Sequence, residues 1–244
     1  MPHMSALNIL KKKFEELVKK HNFEPVSVNV RAFPLGVKDA IGCPQEKDYP
    51  LVRGKEHLME ADFKGAKGQA YTDLCGSFEG TLAQVLELPL ENNYERAVLI
   101  STLNAVLRYL GLIGNTVHCK DEGPRRCSLE LVEFISRRWG MPKVALIGLQ
   151  PRMAEALSER FPLRIADMDP ENLGRSFGRA RVESPEGEEE ILKWCDVAVV
   201  TGTVLTNETL DPILKFSKKV IFYGVTVAGA AHLMQWPRFC PFST

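Results

Sequence analysis

Residues 196–203 have the sequence Asp-Val-Ala-Val-Val-Thr-Gly-Thr, a short apolar run that ends in a turn of small polar residues. Three similar runs lie in the same half of the chain, at residues 144–147, 163–166 and 220–223. Helical patterns alternate with these runs. Short, largely apolar strands that alternate with helices are typical of a parallel sheet covered on both faces. The second half is therefore predicted to be a doubly wound α/β unit with a mainly parallel sheet.

The first half of the chain shows a different pattern. Apolar residues recur at helical spacing over residues 5–20, 80–88 and 94–112, and further short strands are expected at 49–52, 58–63 and 68–71. Residues 26–32 alternate between apolar and polar side chains, which predicts a half-buried strand. After a turn at Pro34 and Gly36, Val37–Gly42 is expected to return beside it as the second strand of a hairpin.

These elements divide the chain into two predicted domains. An α+β domain covers residues 1–126, and an α/β domain covers residues 127–244. A helix over about 128–140 links them, with Ser128 as its expected N-cap because a serine side chain can accept a bond from a free amide at a helix start.

Composition excludes several classes of function. The chain of 244 residues has 31 basic and 31 acidic side chains, so its formal net charge is zero. Nucleic-acid binding depends on many basic contacts to phosphates, and no such surface is expected. No apolar stretch has membrane-spanning length, and the N-terminus lacks a signal-peptide pattern, so a cytoplasmic location is the default expectation. Since symmetric dimers are the commonest oligomers, a homodimer is the assembly to test.

The six cysteines favour reduced thiols over disulfides, because the chain is long and shows no export signal. No C-x-x-C pair is present, so a zinc-ribbon site has no support. The sequence brings sulfur and imidazole together at His118, Cys119 and Cys127. These residues are either core and loop side chains or ligands of a soft transition metal.

Polar residues follow the predicted parallel strands at the sheet edge where such folds bind ligands. Gly148 follows the run at 144–147, and Asp167 follows the run at 163–166, about where a nucleotide-binding fold places its ribose carboxylate. Two further turns supply the remaining candidates, namely Thr201, Gly202, Thr203, Gly224 and Thr226. The glycine fingerprint of dinucleotide-binding proteins is absent, because Leu149, Gln150 and Pro151 follow Gly148.

Several of these candidates have structural alternatives. Asn104 is a polar residue on an apolar helix, so it either bonds a neighbouring backbone or faces a site. Thr206 is expected to cap the next helix, and Asn207 either caps it or binds a ligand. Asp167 either ends its strand or holds a ligand hydroxyl, and His57 is either a site or a surface residue.

Three motifs carry a family resemblance. They are Ser101-Thr-Leu-Asn104-Ala-Val-Leu107, Lys143-Val-Ala-Leu-Ile-Gly148, and Asp196–Thr203 followed by Thr206-Asn-Glu-Thr-Leu210. With them the chain resembles the family of unknown function described as "putative heavy-metal chelation". The resemblance implies an enolase-N-terminal-like α+β domain followed by a Rossmann-like domain. It also implies metal handling, with a transition-metal ion as cofactor and with His118, Cys119 and Cys127, or Cys43 and Cys75, as ligands.

The motif residues themselves, Asn104, Gly148, Thr201, Gly202, Thr203, Asn207 and Gly224, suit a small anionic ligand better than a cation. The leading hypothesis is a binding protein or enzyme with an interdomain cleft for a metal ion or an anionic small molecule. Thr201, Thr203 and Thr226 would contact ligand oxygens, Asn104 would reach in from the first domain, and Asp167 would hold a hydroxyl group. The alternatives are an enzyme of nucleotide or S-adenosylmethionine type and a non-catalytic interaction module.

Overall fold

The computed structural model describes residues 4–31, 35–46 and 48–244. The first half forms an antiparallel sheet with helices packed around it. Its elements are α1 (Ala6–Lys20), β1 (Ser27–Arg31), α2 (Val37–Ile41), β2 (His57–Phe63), β3 (Ala66–Thr72), β4 (Phe78–Thr81), α3 (Leu82–Glu87) and α4 (Asn93–Tyr109). The strands lie in the order β3-β2-β1-β4. Lys64 and Gly65 both have positive φ and form the tight turn between β2 and β3.

The second half forms a seven-stranded sheet. Its elements are α5 (Gly123–Trp139), β5 (Val144–Ile147), α6 (Pro151–Arg160), β6 (Leu163–Ala166), β7 (Ser176–Phe177), β8 (Ala180–Glu183), α7 (Glu188–Trp194), β9 (Val197–Thr201), α8 (Leu210–Phe216), β10 (Val220–Tyr223), α9 (Ala228–Met234) and β11 (Arg238–Phe239). Three-residue 3-10 turns lie at Pro170–Asn172, Pro185–Gly187 and Gly202–Val204. All neighbouring strands are parallel except β7, which runs antiparallel to β8.

The strand order β11-β10-β9-β5-β6-β8-β7 creates a switch point in this sheet. From β5 the chain moves outward through β6 and β8, and it then returns to place β9 on the other side of β5. The loops that follow β5 and β9 therefore diverge over opposite faces. In an open parallel sheet this divergence opens a crevice beyond the carboxyl ends of the strands.

One helix joins the two sheets. Every residue of α4 from Arg96 to Leu107 is buried, and the helix packs against β2 and β3 on one side and α9 on the other. A helix that is apolar around its whole circumference has to be covered by protein on every side. The largest hydrophobic core accordingly contains residues of both sheets, such as Phe63 and Phe222.

Four local predictions are wrong. Residues 49–52 form turns and not a strand. Val37–Ile41 forms a helix and not a strand, and the partners of β1 are β2 and β4. The linking helix α5 starts at Gly123, five residues before Ser128, whose hydroxyl donates to the carbonyl oxygen of Arg125 inside the helix. Thr206 caps no helix, because α8 begins at Leu210. The predicted turn residue Pro34 lies outside the described residues.

The fold class is confirmed at the level of its two sheets. The chain is a mixed α/β protein with a large, mostly parallel sheet and a separate antiparallel sheet. The four predicted strands of the second half are β5, β6, β9 and β10, and they are adjacent in the sheet. Among the described residues, no helix combines the length and apolar character of a membrane span.

Candidate functional site

A cavity of about 550 Å³ opens at the switch point of the parallel sheet. Its walls come from both sheets, since Tyr71 and Asp73 belong to the first half and Ile147, Ala166 and Tyr223 to the second. Most of the candidate residues also line it, namely Gly148, Asp167, Thr201, Gly202, Thr203, Asn207, Gly224, Thr226, His118, Cys119 and Cys127. Tertiary structure thus brings together residues that are more than 100 positions apart in sequence.

Gly148 forms the floor of the cavity at the end of β5. Its φ of +82° lies in the left-handed region, and a Cβ built on it would lie 2.5 Å from Cγ2 of Thr201. Its carbonyl oxygen accepts a 2.8 Å bond from the hydroxyl of Tyr223. The position therefore requires glycine for both its backbone conformation and the close approach of β9.

Two threonines shape the neighbouring turn after β9. The hydroxyl oxygens of Thr201 and Thr203 are 2.7 Å apart, so one of them donates to the other. The Thr201 hydroxyl also accepts a bond from the amide of Thr203. Only one of the two hydroxyl hydrogens is used in the bond between the threonines, so the other one has no partner in this pair. The turn can offer this hydrogen to a ligand oxygen.

Asp167 organises the loop after β6. Its Oδ2 accepts a 2.6 Å bond from the amide of Leu149, and its Oδ1 accepts bonds from the amide of Asp169 and from Nδ2 of Asn172. A carboxylate can accept about four hydrogen bonds. Three are already satisfied by the protein, so Asp167 mainly holds the β5 and β6 loops together and has capacity for about one ligand donor.

Asn104 lies outside the cavity lining and is fully buried. Its Nδ2 lies within 2.9–3.2 Å of the carbonyl oxygens of Gln69, Val225 and Thr226, and its Oδ1 accepts a 2.7 Å bond from the amide of Gly229. The side chain therefore clamps α4 to β3 and to the start of α9. Of the two roles expected for Asn104, the structure therefore shows the first, in which its side chain bonds backbone groups and does not face the site.

Two more threonines connect the halves beside the cavity. The hydroxyl of Thr226 accepts a 3.0 Å bond from the amide of Tyr71, and the hydroxyl of Thr206 lies 2.9 Å from the carbonyl oxygen of the same residue. Both polar groups of the Tyr71 backbone thus bind the second half of the chain. These bonds hold the end of β3 over the edge of the parallel sheet.

Amide side chains border the cavity on the side of α4. Nδ2 of Asn93 donates to Asp73 at 2.7 Å and lies 3.3 Å from Oδ1 of Asn207. Nδ2 of Asn207 lies 3.8 Å from the sulfur of Met168, whose side chain is 58% exposed. These contacts place polar side chains beside the apolar walls of the cavity.

One wall is pinned by ion pairs to the parallel half. Tyr49, Leu51 and Glu56 line this wall, which precedes β2. Arg53 and Lys55 both bind Glu171 at 2.6 Å. These pairs fix the wall over the loop that follows β6.

The predicted metal ligands His118, Cys119 and Cys127 lie in the cavity lining. Nδ1 of His118 donates to the carbonyl oxygen of Cys119, and burial lowers the pKa of His118 to about 4, so its ring is neutral. Burial raises the pKa of Cys119 to about 12 and also raises that of Cys127, so both thiols are protonated at neutral pH. A metal would therefore have to displace a proton from each thiol on binding. Within residues 4–31, 35–46 and 48–244, no group of three or more His, Cys, Asp or Glu side chains could hold a metal ion.

His118, Cys119 and Cys127 therefore do not fit a preformed heavy-metal centre. The remaining sulfur candidates, Cys43 and Cys75, are exposed, and only Cys119 and Cys127 of the four line the cavity. His57 pairs with Thr72 in the first sheet and lies outside the lining.

The cavity also contains acidic residues that sequence patterns did not indicate. Glu56, Asp73, Asp169 and Glu188 join Asp167 in the lining, where Lys55 is the single Lys or Arg side chain among the described residues. Burial, together with the carboxylates of Asp167, Asp73 and Asp169, raises the pKa of Glu56 to about 7. Burial also raises the pKa of Glu188. The register of a predicted hairpin could have placed Glu56 beside Asp73. No pattern in the nearby sequence predicts that these two residues line the same cavity as Asp167.

Aromatic and aliphatic groups supply the remaining surface. Tyr49, Tyr71 and Tyr223 line the cavity with Leu51 and Leu149. Burial raises the pKa of all three tyrosines, to about 12 for Tyr49, so their hydroxyls stay protonated. The cavity combines an apolar surface with a few polar groups, which is the usual character of a small-molecule site.

Comparison with known families confirms the resemblance over the second half. The DUF364 family model, described as "Putative heavy-metal chelation", matches residues 131–235. The matched segment includes the loops after β5, β6, β9 and β10. No curated protein matches the chain significantly.

Two solved structures of DUF364 proteins have a similar fold. A DUF364 protein of unknown function from Pyrococcus horikoshii is 19% identical with a TM-score of 0.58, and the match covers 91% of this chain and 79% of that one. A DUF364 protein of unknown function from Desulfitobacterium hafniense is 15% identical with a TM-score of 0.52, covering 73% of this chain and 72% of that one. At these identities the likeness supports the fold alone.

Proposed function

We propose that the protein binds an organic small molecule in the cavity at the switch point. The single observation that carries this proposal is the cavity of about 550 Å³, which residues from both halves of the chain line. Ligand pockets of roughly 300–1,000 Å³ with mostly apolar walls accommodate organic molecules. A bare ion needs only a few converging ligands, and it would leave most of this volume unfilled.

The lining chemistry selects among the ligand classes. The family description names heavy-metal chelation, but the described residues hold no ready set of metal ligands. An anionic ligand meets five carboxyl-bearing lining residues and one lysine, whose ammonium is already bound to Glu171. A nucleotide has no glycine fingerprint to bind its phosphates, and Asp167 is largely satisfied by the protein. A neutral or cationic organic molecule fits these groups best.

The two-unit organisation is part of the same proposal. The antiparallel sheet lies within residues 1–126, where we place an enolase-N-terminal-like unit, and the parallel sheet lies within residues 127–244, where we place a Rossmann-like unit. The switch-point order of the second sheet supports the Rossmann-like assignment. Because α5 begins at Gly123, the boundary falls inside this helix or just before it.

A fragment screen tests the proposed function. The full chain is titrated with a library of neutral and cationic aromatic fragments, and binding is mapped by NMR amide shifts. We expect hits to shift the amides of Thr201, Thr203 and Tyr223. Asn207→Trp, which places an indole at the rim, should weaken these hits, whereas Glu186→Trp, at an exposed residue outside the lining, should not. A screen in which no fragment perturbs the cavity amides would overturn the proposal.

A further inference from the structure

The carboxyl groups that line the cavity come from both halves of the chain, and they are spread over its walls without forming a metal-ligand group among the described residues. In the hairpin of β2 and β3, His57 is paired with Thr72, so the next residues outward, Glu56 and Asp73, are neighbours at the open end of the pair. Asp167 and Asp169 follow β6 at the carboxyl edge of the parallel sheet. All four residues line the same cavity, so the two ends border one space.

Most of these carboxylates already have protein partners. Asp167 accepts three hydrogen bonds, Asp73 accepts one from Asn93, and Asp169 has Arg53 at 3.8 Å. Glu56 has neither a hydrogen bond nor an ion pair with any side chain that the structure describes. The Glu56 side chain is partly exposed and lines the cavity, so its carboxyl is open to a ligand donor.

We propose that Glu56 anchors a subsite for a protonated amine, so that the organic ligand of the cavity is an aromatic or aliphatic amine. This inference rests on the proposed function, because it assigns a chemical class to the molecule in the same cavity. An ammonium group placed at Glu56 gains a charge-assisted hydrogen bond and lies in the field of Asp73 and Asp167.

The walls favour an amine with an apolar body over a metal ion. Tyr71 and Tyr223 lie close enough to Glu56 for its charge to raise the pKa of both phenols. Ring faces attract cations, and aromatic walls accept the hydrocarbon part of an amine. A hard divalent ion instead requires several converging oxygen ligands, and no such group was found in the described part of the chain.

Two matched sets of three probes test the inference on the full chain. Tyramine, tyrosol and 4-hydroxyphenylacetate share one ring and differ in carrying an ammonium, a hydroxyl or a carboxylate. Tryptamine, tryptophol and indole-3-acetate form the second set. Dissociation constants are measured at pH 8 by NMR titration for the wild type, Glu56→Gln and Glu186→Gln. Zn²⁺ and Ca²⁺ alone are titrated in parallel.

We expect each amine to bind roughly tenfold or more tightly than its alcohol, since hydrogen bonds to charged groups are the strong ones. Glu56→Gln should reduce the amine to the affinity of the alcohol, and Glu186→Gln should leave all affinities unchanged. The Gln side chain keeps the shape of Glu, and the retained affinity for the alcohol shows that the variant is folded.

Three results would overturn the amine subsite. In the first, the carboxylates bind more tightly than the amines and alcohols. In the second, the affinity for the amines is the same in the wild type and in Glu56→Gln. In the third, Zn²⁺ or Ca²⁺ alone binds the wild type and this binding is lost in Glu56→Gln. If the alcohols or carboxylates still shift the cavity amides, the proposed small-molecule function survives while the amine inference fails. If none of the six probes shifts them, and the fragment screen also finds no ligand, both fail.

Discussion

Replacing Glu56 by Gln should stabilise the protein at alkaline pH. Burial and three neighbouring carboxylates raise the pKa of this group from 4.5 to about 7. One pKa unit corresponds to about 1.4 kcal/mol, so ionising Glu56 in the folded chain costs at most about 3.5 kcal/mol, and less because solvent screens this partly exposed side chain. Gln removes this cost because it has the same shape and carries no charge. The titratable groups near Glu56 are Asp73, Asp167, Asp169, Tyr71 and Tyr223.

The pH dependence of this effect has a definite sign. Because the pKa of Glu56 is raised on folding, the folded chain binds a proton between pH 4.5 and 7 that the unfolded chain has released. Its contribution to the free energy of unfolding therefore falls as pH rises through this window and stays low above it. The free energy of unfolding of Glu56→Gln should equal that of the wild type near pH 4.5 and should exceed it by the largest amount at pH 8.

Urea denaturation at pH 4.5, 6, 7 and 8 measures this difference. The exposed Glu186→Gln serves as the control, and we expect it to stay within about 0.5 kcal/mol of the wild type at every pH. A Glu56→Gln variant that is less stable than the wild type at pH 8 would show that the carboxylate has a stabilising partner. The account of Glu56 as a carboxyl without a stabilising partner would then be refuted.

Three further predictions concern the clamp, the switch point and the thiols. Asn104→Leu should lower the free energy of unfolding by about 3 kcal/mol in urea denaturation, because backbone groups of both halves lose their partner, and a loss below about 1 kcal/mol would contradict the clamp. Gly148→Ala should lower the free energy of unfolding more than Gly65→Ala in the same assay. Both glycines have positive φ, but only a methyl group at Gly148 would clash with Thr201. Equal losses of stability would show that this clash contributes nothing. Cys119 and Cys127, which are buried with raised pKa values, should react with a thiol reagent at pH 8 only after unfolding. Rapid labelling of either in the folded chain would contradict this, and the internal controls are the exposed thiols Cys43 and Cys75.

Local patterns predicted the regular elements whose neighbours are close in sequence. The four apolar runs became β5, β6, β9 and β10, because short strands buried on both faces require apolar residues at nearly every position. The weaker elements failed for a related reason. The short helix Val37–Ile41 has too few residues for a period of 3.6 to be distinguished from alternation.

The sequence by itself also indicated which turns border the cavity, because the carboxyl ends of parallel strands meet at one edge whatever the details of packing. Only tertiary structure decided the chemistry of that cavity. Glu56 and Asp73 reach Asp167 through the pairing of β2 with β3 and the docking of that hairpin on the second half of the chain. The same docking buried Asn104 and Cys119 and enclosed part of His118 among protein groups. Charge and burial depend on neighbours that are distant in the chain, so no local pattern of residues could determine them.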